Sequence, residues 1–452
     1  MSAKNVNEKQ KKQPIQTPKG THDILSDEYF LYKTVLDKGE EIASYYGFKP
    51  IQTPHLEKEE LFTTTLGETT DVVEKEMFKV KGKEGDNLVL RPEGTAPIMR
   101  AYLEHGMHTL PQPVMLQYQG SFFRHERPQR GRFREFTQFG LEILGEKRAI
   151  AEATIIQVMT LTLSELGIKQ ITVRLNSIGD KECQGNYKKE LLKHYKKDTN
   201  QLCKDCQRRI KTNPLRLLDC KEEKCAEIKS GAPQMVNYFC SSCKQHFKEV
   251  LESLETNNIP YTLDSNLVRG FDYYSKTVFE FFEEEEELEN IDTKNEVIKK
   301  EGTMATNTPL ALGGGGRYDY LSKMLGRRDI PAIGAGLGVN RIVQIMKERK
   351  LEPRHKKNPK VFLIQLGSFA KYKSLNIMEM LRKAHISLQQ SISKDSIKGQ
   401  LILADKLNIP YVLIIGQKEA LENSIIIRNM ETRAQETVPI ERVVDELKSI
   451  MQ

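Results

Sequence analysis

The chain has 452 residues, of which 29% are charged, and a formal net charge of +7. At roughly 100–200 residues per domain, this length predicts two to four domains with substantial cores. No apolar run approaches the roughly 18–20 residues of a membrane span, and the N-terminus is lysine-rich without the apolar segment of a signal peptide. The sequence therefore argues against membrane and secreted classes, a cytoplasmic location is expected, and the seven cysteines do not indicate a disulfide framework.

The charge is unevenly distributed along the chain. Residues 1–16 lie in a lysine-rich segment that predicts a disordered basic tail. Residues 181–229 and 354–452 each carry six more basic than acidic residues, whereas residues 283–301 carry six more acidic than basic residues. The acidic run repels itself and predicts a solvated loop over 283–309. The two basic segments could both contact one long polyanion, such as a nucleic acid.

Helical and strand patterns alternate through the first half of the chain. A helical pattern spans residues 28–46, and period-two alternation predicts two long strands over 114–124 and 133–145. The eight residues between these strands, 125–132, contain a proline, a glycine and three arginines. They predict a hairpin with an unusually basic tip.

The second half begins with a segment of different composition. Residues 181–262 are rich in lysine and cysteine and are predicted to be an insertion. Strand-like alternation resumes at Leu267, and residues 334–346 run from a glycine-rich start into an amphipathic helix. A basic linker over 350–359 leads to residues 360–452, where alternating strands and helices predict a small α/β domain.

One sheet face carries polar residues that suggest a binding site. Arg134, Gln138 and Glu142 share a face of the second long strand, and Arg124 ends the first. This face is either solvated, as is common in antiparallel sheets, or the floor of a polar pocket. Arginines suit a phosphate ligand, because a guanidinium group binds two oxygens at once.

Three other segments carry candidate groups. Glu93 and Thr95 lie at a Pro/Gly turn, where a carboxylate and a hydroxyl could hold an ammonium group. Arg269 precedes a glycine in a predicted strand beside two tyrosines, and Arg341 lies in the first turns of the glycine-preceded helix. The spacings GxGxxG and GxxxxGK[ST] do not occur, which argues against the two commonest nucleotide-binding folds but not against nucleotide binding.

The order of these motifs resembles a known family. The early strand at residues 47–54, the segments FRHE and RFREF around the basic hairpin, and GLGVNR resemble the three motifs of class II aminoacyl-tRNA synthetases. LVRGFDYY and ALGGGGRYD resemble two segments particular to histidyl-tRNA synthetases, and RPEGTAP fits the same family. The resemblance covers essentially the whole chain from about Thr17, and the combination is far more specific than any single motif.

The resemblance implies an α+β catalytic domain over residues 17–349, built around a mainly antiparallel sheet and interrupted by the insertion at 181–262. It also implies that the C-terminal α/β domain, residues 360–452, binds the anticodon. The implied enzyme is a homodimer that activates L-histidine with ATP and Mg²⁺. It then transfers the histidyl group to the 3′ end of tRNA(His), releasing AMP and pyrophosphate.

Individual roles follow from the same resemblance. The catalytic residues would be Arg124, Arg269 and Arg341, with Arg269 stabilising charge at the α-phosphate. ATP would contact Arg124, Glu126, Arg134 and Arg341. Histidine would contact Glu93, Gly94, Thr95, Gln138, Glu142, Tyr273 and Tyr274, although one of the two tyrosines could serve core packing instead. The tRNA acceptor stem would meet the loop residues Arg127, Gln129, Arg130 and Arg132, which would otherwise form a solvated hairpin tip.

The cysteines of the insertion have the spacing of a metal site. Two C-x2-C pairs indicate tetrahedral thiolate zinc in an intracellular chain, and the most economical set is Cys203, Cys206, Cys240 and Cys243. Cys220 and Cys225 could replace one of the pairs, and free thiols are the alternative to zinc. Zinc would add folding free energy to a segment that looks too polar for a good core.

A second function class is a catalytically inactive synthetase paralogue that acts as a regulatory subunit or sensor. Such a paralogue typically lacks the C-terminal domain and an intact LVRGFDYY segment. Both are present in this sequence.

Overall fold

The computed structural model describes residues 14–67, 70–83, 85–127, 131–284, 311–354 and 359–451. Most of the predicted tail and acidic loop, together with Gln129 and Arg130, lie outside these ranges. The chain divides into two compact units, Met1–Arg354 and His355–Gln452, at a point inside the predicted linker. In the described ranges, no helix has the length and apolar character needed to cross a membrane.

The strands of the first unit are β1 (Lys49–Pro50), β2 (Leu56–Lys58), β3 (Lys79–Lys81), β4 (Asn87–Leu90), β5 (Val114–Phe123), β6 (Glu135–Leu144), β7 (Ile171–Ser177), β8 (Tyr261–Leu263), β9 (Ser275–Glu283), β10 (Gly313–Arg317) and β11 (Ala332–Gly338). Eight of these strands form one sheet in the order β1-β5-β6-β11-β10-β9-β7-β8. Strands β2, β4 and β3 form a separate small sheet. The helices are α1 (Ser26–Tyr45), α2 (Glu59–Leu66), α3 (Thr95–Glu104), α4 (Ile150–Glu165), α5 (Lys181–Lys196), α6 (Lys204–Thr212), α7 (Ala226–Ser230), α8 (Ser241–Thr256), α9 (Leu321–Met324) and α10 (Val339–Glu348).

The large sheet is mainly antiparallel, as predicted. Parallel pairing occurs between β1 and β5 and between β7 and β8. Strands β5 and β6 are the two predicted long strands, and they pair without interruption from Val114 opposite Leu144 to Phe123 opposite Glu135. Their alternation was readable because each strand packs against a different environment on each face.

Two cores cover the two faces of this sheet. One core packs α1, α4 and α10 through residues such as Val35, Ile155 and Ile342. The other packs α2, α3 and α9 and includes a group of buried tyrosines. The second face therefore combines apolar packing with polar groups, which makes it the face that can hold a polar ligand.

Two glycine-rich segments form central strands of the sheet rather than loops. In β10, a Cβ built on Gly315 would lie 2.0 Å from the carbonyl oxygen of Gly334 on the neighbouring strand β11. The two backbones therefore approach too closely for any side chain. Only glycine fits this close packing, and because glycine has low strand propensity, the sequence did not reveal β10 as a strand.

The prediction that Arg269 lies in a strand is wrong, because residues 264–274 form a loop before β9. The Asp264 carboxylate accepts the backbone N–H of Asn266, and the Asn176 side chain donates to the carbonyls of Ser265 and Leu267. The bond within the loop and the two bonds from Asn176 on strand β7 satisfy backbone groups of this segment that have no strand partner.

The insertion has its own buried core, contrary to the expectation of a segment too polar to form one. Six of the fourteen buried residues in that core are cysteines. The predicted boundary at 262 is also too late. Val250 and Leu254 of α8 pack in the main core, and β8 joins the main sheet, so the insertion ends near Cys243.

The second unit is a five-stranded mixed sheet with helices. Its strands are β12 (Val361–Gln365), β13 (Leu388–Gln390), β14 (Tyr411–Ile415), β15 (Ser424–Asn429) and β16 (Gln435–Pro439), and they lie in the order β13-β12-β14-β15-β16. Its helices are α11 (Ser368–Lys383), α12 (Ile397–Lys406), α13 (Gln417–Glu422) and α14 (Val443–Met451). The predicted α/β character is confirmed by two apolar clusters that contain alternate residues of β12 and β14.

We expect Gly334→Ala to lower the urea midpoint of unfolding, because its Cβ would lie 1.5 Å from the buried carboxylate of Glu142 on strand β6. Overpacking of this kind typically costs about 1–3 kcal/mol. The matched control is Gly336→Ala on the same strand, whose Cβ has no neighbour closer than 3.6 Å. Far-UV circular dichroism gives both midpoints, since the chain has no Trp for fluorescence. Equal midpoints would contradict the close contact.

Candidate active site

A cavity of about 590 Å³ opens on the second face of the large sheet. Strands β6, β10 and β11 form its floor, the start of α3 and the 264–274 loop form its walls, and residues 218–221 of the insertion border it. Most of the predicted site residues line this cavity: Glu93, Gly94, Thr95, Arg124, Glu126, Arg132, Gln138, Arg269, Tyr273, Tyr274 and Arg341.

Glu142 is the most deeply buried of the predicted site residues, with no exposed surface. Thr95 Oγ1 donates to Glu142 Oε1 at 2.8 Å, and the hydroxyl of Tyr318 donates to Oε2. Burial raises the pKa of Glu142 to about 8, the hydroxyl donors oppose this rise, and the nearby charge of Glu93 adds to it. A carboxyl with this pKa can hold a proton at neutral pH and donate a hydrogen bond.

Glu93 lies where the chain enters α3. Its Oε2 accepts the backbone N–H of Thr95 at 2.7 Å, and its Oε1 accepts that of Ala96 at 2.9 Å. Burial raises the pKa of Glu93, while these two N–H groups act in the opposite direction. Gly94 leaves room for the ring of Tyr118, from which a Cβ would lie 2.6 Å away. One turn therefore presents a carboxylate and a hydroxyl to the cavity.

Aromatic rings enclose the polar end of the cavity. The ring centroids of Tyr273 and Tyr274 are 4.6 Å apart, and Tyr318 lies 5.7 Å from Tyr273. All three are buried, and the hydroxyl of Tyr273 lies 3.5 Å from Glu93 Oε2. The walls are therefore apolar in bulk but end in hydroxyl groups, an arrangement that favours a small ligand with both ring and polar atoms.

Three arginines occupy the other end of the cavity. Arg124 donates to the carbonyl of Pro92 at 2.9 Å and lies over the ring of Phe136, 5.4 Å from its centroid. Arg341 donates to the carbonyls of Ala311 and Gly131. Burial, together with the nearby charge of Arg132, lowers the pKa of Arg341 to about 10, so it remains a cation at neutral pH.

Arg269 is the third of these cations. It forms an ion pair with Glu280 on β9, and its guanidinium carbon lies 5.8 Å from the ring centroid of Tyr274. Its buried Nε has no hydrogen-bond partner among the described residues. An unpaired buried donor beside two further arginines favours an anionic ligand.

Other predicted residues are placed differently. Arg134 turns away from the cavity and donates to the carbonyls of Glu126 and Lys19, so it holds the loop rather than the ligand. Arg132 donates to the Glu126 carboxylate at 3.2 Å, and Arg127 is exposed. Gln129 and Arg130 lie outside the described residues.

Sequence reasoning missed two site tyrosines, Tyr118 and Tyr318. Tyr118 lies under Gly94 and Gly140, and Tyr318 binds Glu142. A signal for Tyr318 was present, because it directly follows Arg317 at the end of the glycine-rich segment. The run of four glycines shortly before Tyr318 has no periodicity, however, that would mark this tyrosine as a site residue.

The structure groups the cysteines differently from the first prediction. The pair Cys203 and Cys206 lies with Cys220 and Cys225, and the ligand atoms of this group are all within 4.8 Å of one another. Cys240 and Cys243 lie in a different group with Cys183 and Asp180. The set Cys203, Cys206, Cys240 and Cys243 is therefore wrong as a single site, and the replacement of one pair by Cys220 and Cys225 matches the observed grouping.

The fold and site define a class: a mainly antiparallel-sheet domain whose cavity combines a buried carboxyl group and tyrosines with a cluster of arginines. The family model described as Histidyl-tRNA synthetase matches residues 20–292, and that described as Anticodon binding domain matches residues 360–450. The chain belongs to the histidyl-tRNA synthetase family.

Individual relatives match this chain over nearly its full length. A histidine–tRNA ligase of Dehalococcoides mccartyi is 39% identical over 96% of this chain and 99% of its own length. One of Acetivibrio thermocellus is 36% identical over the same shares of the two chains. The crystal structure of apo S. aureus histidyl-tRNA synthetase has a TM-score of 0.76 and 30% identity, covering 96% of this chain and all of that one.

We expect stability to depend on the protonation of Glu142. Its carboxyl has a pKa of about 8 in the folded chain and an ordinary value of 4.5. The folded chain therefore keeps a proton that the unfolded chain has released, and its stabilising contribution is lost as the pH rises through this window. Compared with Glu142→Gln, the unaltered chain should lose unfolding free energy between about pH 5 and pH 8.

The matched control for this titration is Glu146→Gln. The hydrogen bond from Arg148 lowers the pKa of Glu146 to about 2, so its contribution is lost only as the pH falls below the ordinary value. Its stability difference from the unaltered chain should stay flat over the same window. Parallel curves for the unaltered chain and Glu142→Gln would show that Glu142 does not hold this proton.

Proposed function

We propose that the chain is a histidine–tRNA ligase. It activates L-histidine with ATP to histidyl-adenylate and pyrophosphate, then transfers the histidyl group to the 3′ end of tRNA(His) and releases AMP. The observation that carries this proposal is the joining of two environments in one cavity. Glu93 and Thr95 line the same cavity as Arg124, Arg269 and Arg341. The Thr95 hydroxyl is in turn hydrogen-bonded to the fully buried carboxyl of Glu142.

The polar end has the chemistry that histidine needs. Glu93, with Thr95 and Gln138 nearby, offers oxygen acceptors to the substrate ammonium. Glu142 and Tyr274, with Tyr273 beside them, offer hydrogen-bonding groups to the two imidazole nitrogens. An apolar competitor would leave these buried groups unpaired, and such loss can discriminate by factors of about 10⁴–10⁵.

The cationic end suits ATP. Arg124 would bind the α-phosphate, Arg341 the γ-phosphate, and Glu126 the adenine amino group. The histidine carboxylate attacks the α-phosphorus and pyrophosphate leaves, while Arg269 stabilises the charge that develops on the phosphoryl oxygens. No covalent bond to the protein is required.

Mg²⁺ would enter the site as part of the MgATP substrate. Glu126 and Glu280, two carboxylates at the cationic end, lie in ion pairs with Arg132 and Arg269 respectively. Among the described residues, groups of three or more clustered candidate ligands occur at the cysteines and not at this end. The ion would therefore be held by the phosphates of ATP and not by the protein.

A structural zinc ion at Cys203, Cys206, Cys220 and Cys225 belongs to the same proposal. All four residues are buried, and Cys203 Sγ lies 3.8 Å from Cys220 Sγ. Zn–S bonds of about 2.3 Å in a tetrahedron place sulfur atoms about 3.8 Å apart. Since Asp219, Cys220 and Lys221 border the active-site cavity, this zinc would also fix one cavity wall.

Other parts of the proposal rest mainly on the family resemblance. The basic insertion and the hairpin loop with Arg127, Gln129, Arg130 and Arg132 would meet the acceptor arm of tRNA, and residues 360–452 would bind the anticodon. A homodimer would form through residues 47–54, where β1 is an edge strand and the preceding Tyr45 is exposed. The use of ATP and tRNA supports the expected cytoplasmic location.

The deciding experiment is ATP–pyrophosphate exchange with each of the twenty amino acids in turn. We expect exchange with histidine alone, because only histidine satisfies both Glu93 and Glu142. Exchange with another amino acid would overturn the substrate assignment. Absence of exchange with all of them would favour an inactive paralogue that serves as a regulatory subunit or sensor.

Replacement of Arg269 tests the cationic end. We expect Arg269→Gln to reduce histidine-dependent exchange about 10²–10³-fold, since a preorganised donor to the developing charge is lost. Arg148→Ala is the control, because its side chain is 72% exposed and pairs with Glu146 away from the cavity. Both variants should keep the far-UV circular dichroism spectrum. An unchanged rate in Arg269→Gln would contradict its role.

A further inference from the structure

The insertion leaves and rejoins the main body through a narrow neck. Asp180 and Cys183 lie at the start of α5, where the insertion begins. Cys240 and Cys243 lie at the start of α8, where it returns. The four ligand atoms of these residues are all within 4.8 Å of one another, although the two helices are far apart in sequence.

The distances within this neck cluster match a tetrahedral metal site. Cys240 Sγ lies 3.5 Å from Asp180 Oδ2. With Zn–S bonds of about 2.3 Å and Zn–O bonds of about 2.1 Å, the sulfur–oxygen edge of a tetrahedron is about 3.6 Å. All seven cysteines are free thiols, so this proximity is not a disulfide.

Backbone N–H groups are directed at the sulfurs. Cys183 Sγ accepts the N–H of Cys240 at 3.1 Å, and Cys240 Sγ accepts the N–H of Cys243 at 3.4 Å. Donors of this kind stabilise thiolates and fix their direction. The same arrangement occurs at the other cysteine group, where Cys203 Sγ accepts the N–H of Cys206.

The two oxygens of Asp180 have different tasks. Its Oδ1 accepts the N–H of Cys183 at 2.9 Å and caps α5. Its Oδ2 is left to face Cys240. The preceding Gly179 has φ +66°, and a Cβ there would lie 2.6 Å from Cys183 Cβ. The backbone is thus held close to the cluster by a residue that needs glycine.

We propose that Asp180, Cys183, Cys240 and Cys243 bind a second structural zinc ion, with three sulfur ligands and one oxygen ligand. The ion ties the entrance of the insertion to its exit and so closes the segment into a loop. A metal ion that holds the two ends of a long loop together reduces the conformational entropy that those ends would otherwise have. This site does not depend on the proposed enzymatic function.

The neck is also connected to the active site. Gln184 in α5 donates to the carbonyls of Gly179 and Tyr274. The backbone of Lys276 pairs with Gly179 and Ile178, at 2.7 Å in both bonds. A zinc ion at the neck therefore sets the position of the insertion relative to the tyrosine wall of the cavity.

Metal analysis of the full-length protein, purified in reductant and dialysed against a chelator, tests the proposal. We expect two zinc ions per chain in the unaltered protein. Cys243→Ser and Asp180→Asn should each lower this to one, and Asn keeps the helix-capping acceptor while removing the anionic ligand. The matched control is Cys206→Ser, which should also lower the content to one by emptying the other group.

X-ray absorption at the zinc edge separates the two sites. In Cys206→Ser, the remaining zinc should have three sulfur ligands and one oxygen ligand, while Cys243→Ser should leave a zinc with four sulfur ligands. Circular dichroism shows whether each variant is folded. This spectroscopic readout identifies the site even if one substitution destabilises the insertion.

Several results would overturn the proposal. They are a single zinc ion with four sulfur ligands in the unaltered protein, two zinc ions retained in Cys243→Ser, iron in place of zinc, or four sulfur ligands in Cys206→Ser. A titration of the denatured, metal-free protein that finds fewer than seven thiols would indicate a disulfide at the neck instead. Loss of zinc with normal amino acid activation would leave the proposed enzymatic function intact, and the converse also holds.

Discussion

Arg317 lies without exposed surface at the end of strand β10, and its guanidinium group donates to both carboxylate oxygens of Glu152 on helix α4. It also donates to the carbonyls of Glu146 and Arg148, which join β6 to α4. Burial works against the charge of Glu152, but Arg317 and the hydrogen bond from His246 outweigh this effect and lower the pKa of that carboxyl. Loss of one partner from such a pair typically costs about 3–5 kcal/mol. Strand β10 needs this anchor, because its glycines contribute no side-chain packing.

Because Arg317 anchors strand β10, the glycines of this strand can leave space for neighbouring groups and need not contribute side-chain contacts. The floor of the cavity is made by backbone along β10 and β11, so the carboxyl of Glu142 and the ring of Tyr118 can lie across it. Arginines border this floor, while the carboxyl of Glu142 is fully buried. Burial raises the pKa of that carboxyl, whereas Arg124, Arg269 and Arg341 keep partial exposure and their charge, so one difference in burial accounts for both outcomes.

The sequence revealed those parts of the fold with a clear apolar pattern. The β5–β6 hairpin was predictable from period-two alternation, and the C-terminal α/β unit from short apolar runs, now β12 and β14, that alternate with helical patterns. Strand β10 was not, since a run of four glycines has no periodicity and low strand propensity. Arg269 was assigned to a strand because its aromatic neighbours resemble one. The segment is instead a loop whose carbonyls at Ser265 and Leu267 accept hydrogen bonds from Asn176, a residue of strand β7 that is distant in sequence.

For the site, the motifs identified most of the residues that line the cavity but not their partners. Tyr318 was overlooked because its contact with Glu142 joins residues that are distant in sequence. Arg134 was assigned to ATP, although its side chain is occupied by two backbone carbonyls. The grouping of the cysteines also depends on how the insertion folds back on itself, which spacing alone does not determine.

Helix α8 belongs to both parts of the catalytic unit. Its first turn carries Cys240 and Cys243 at the neck, His246 contacts the buried anchor at Glu152, and Leu254 packs in the main core. At about 1.5 Å per residue, the distance from the first of these cysteines to that leucine is about 21 Å. Through His246 and Glu152, the helix connects the neck of the insertion to Arg317 at the end of strand β10, which forms part of the cavity floor. The same helix that closes the insertion therefore also supports the strand beneath the cavity.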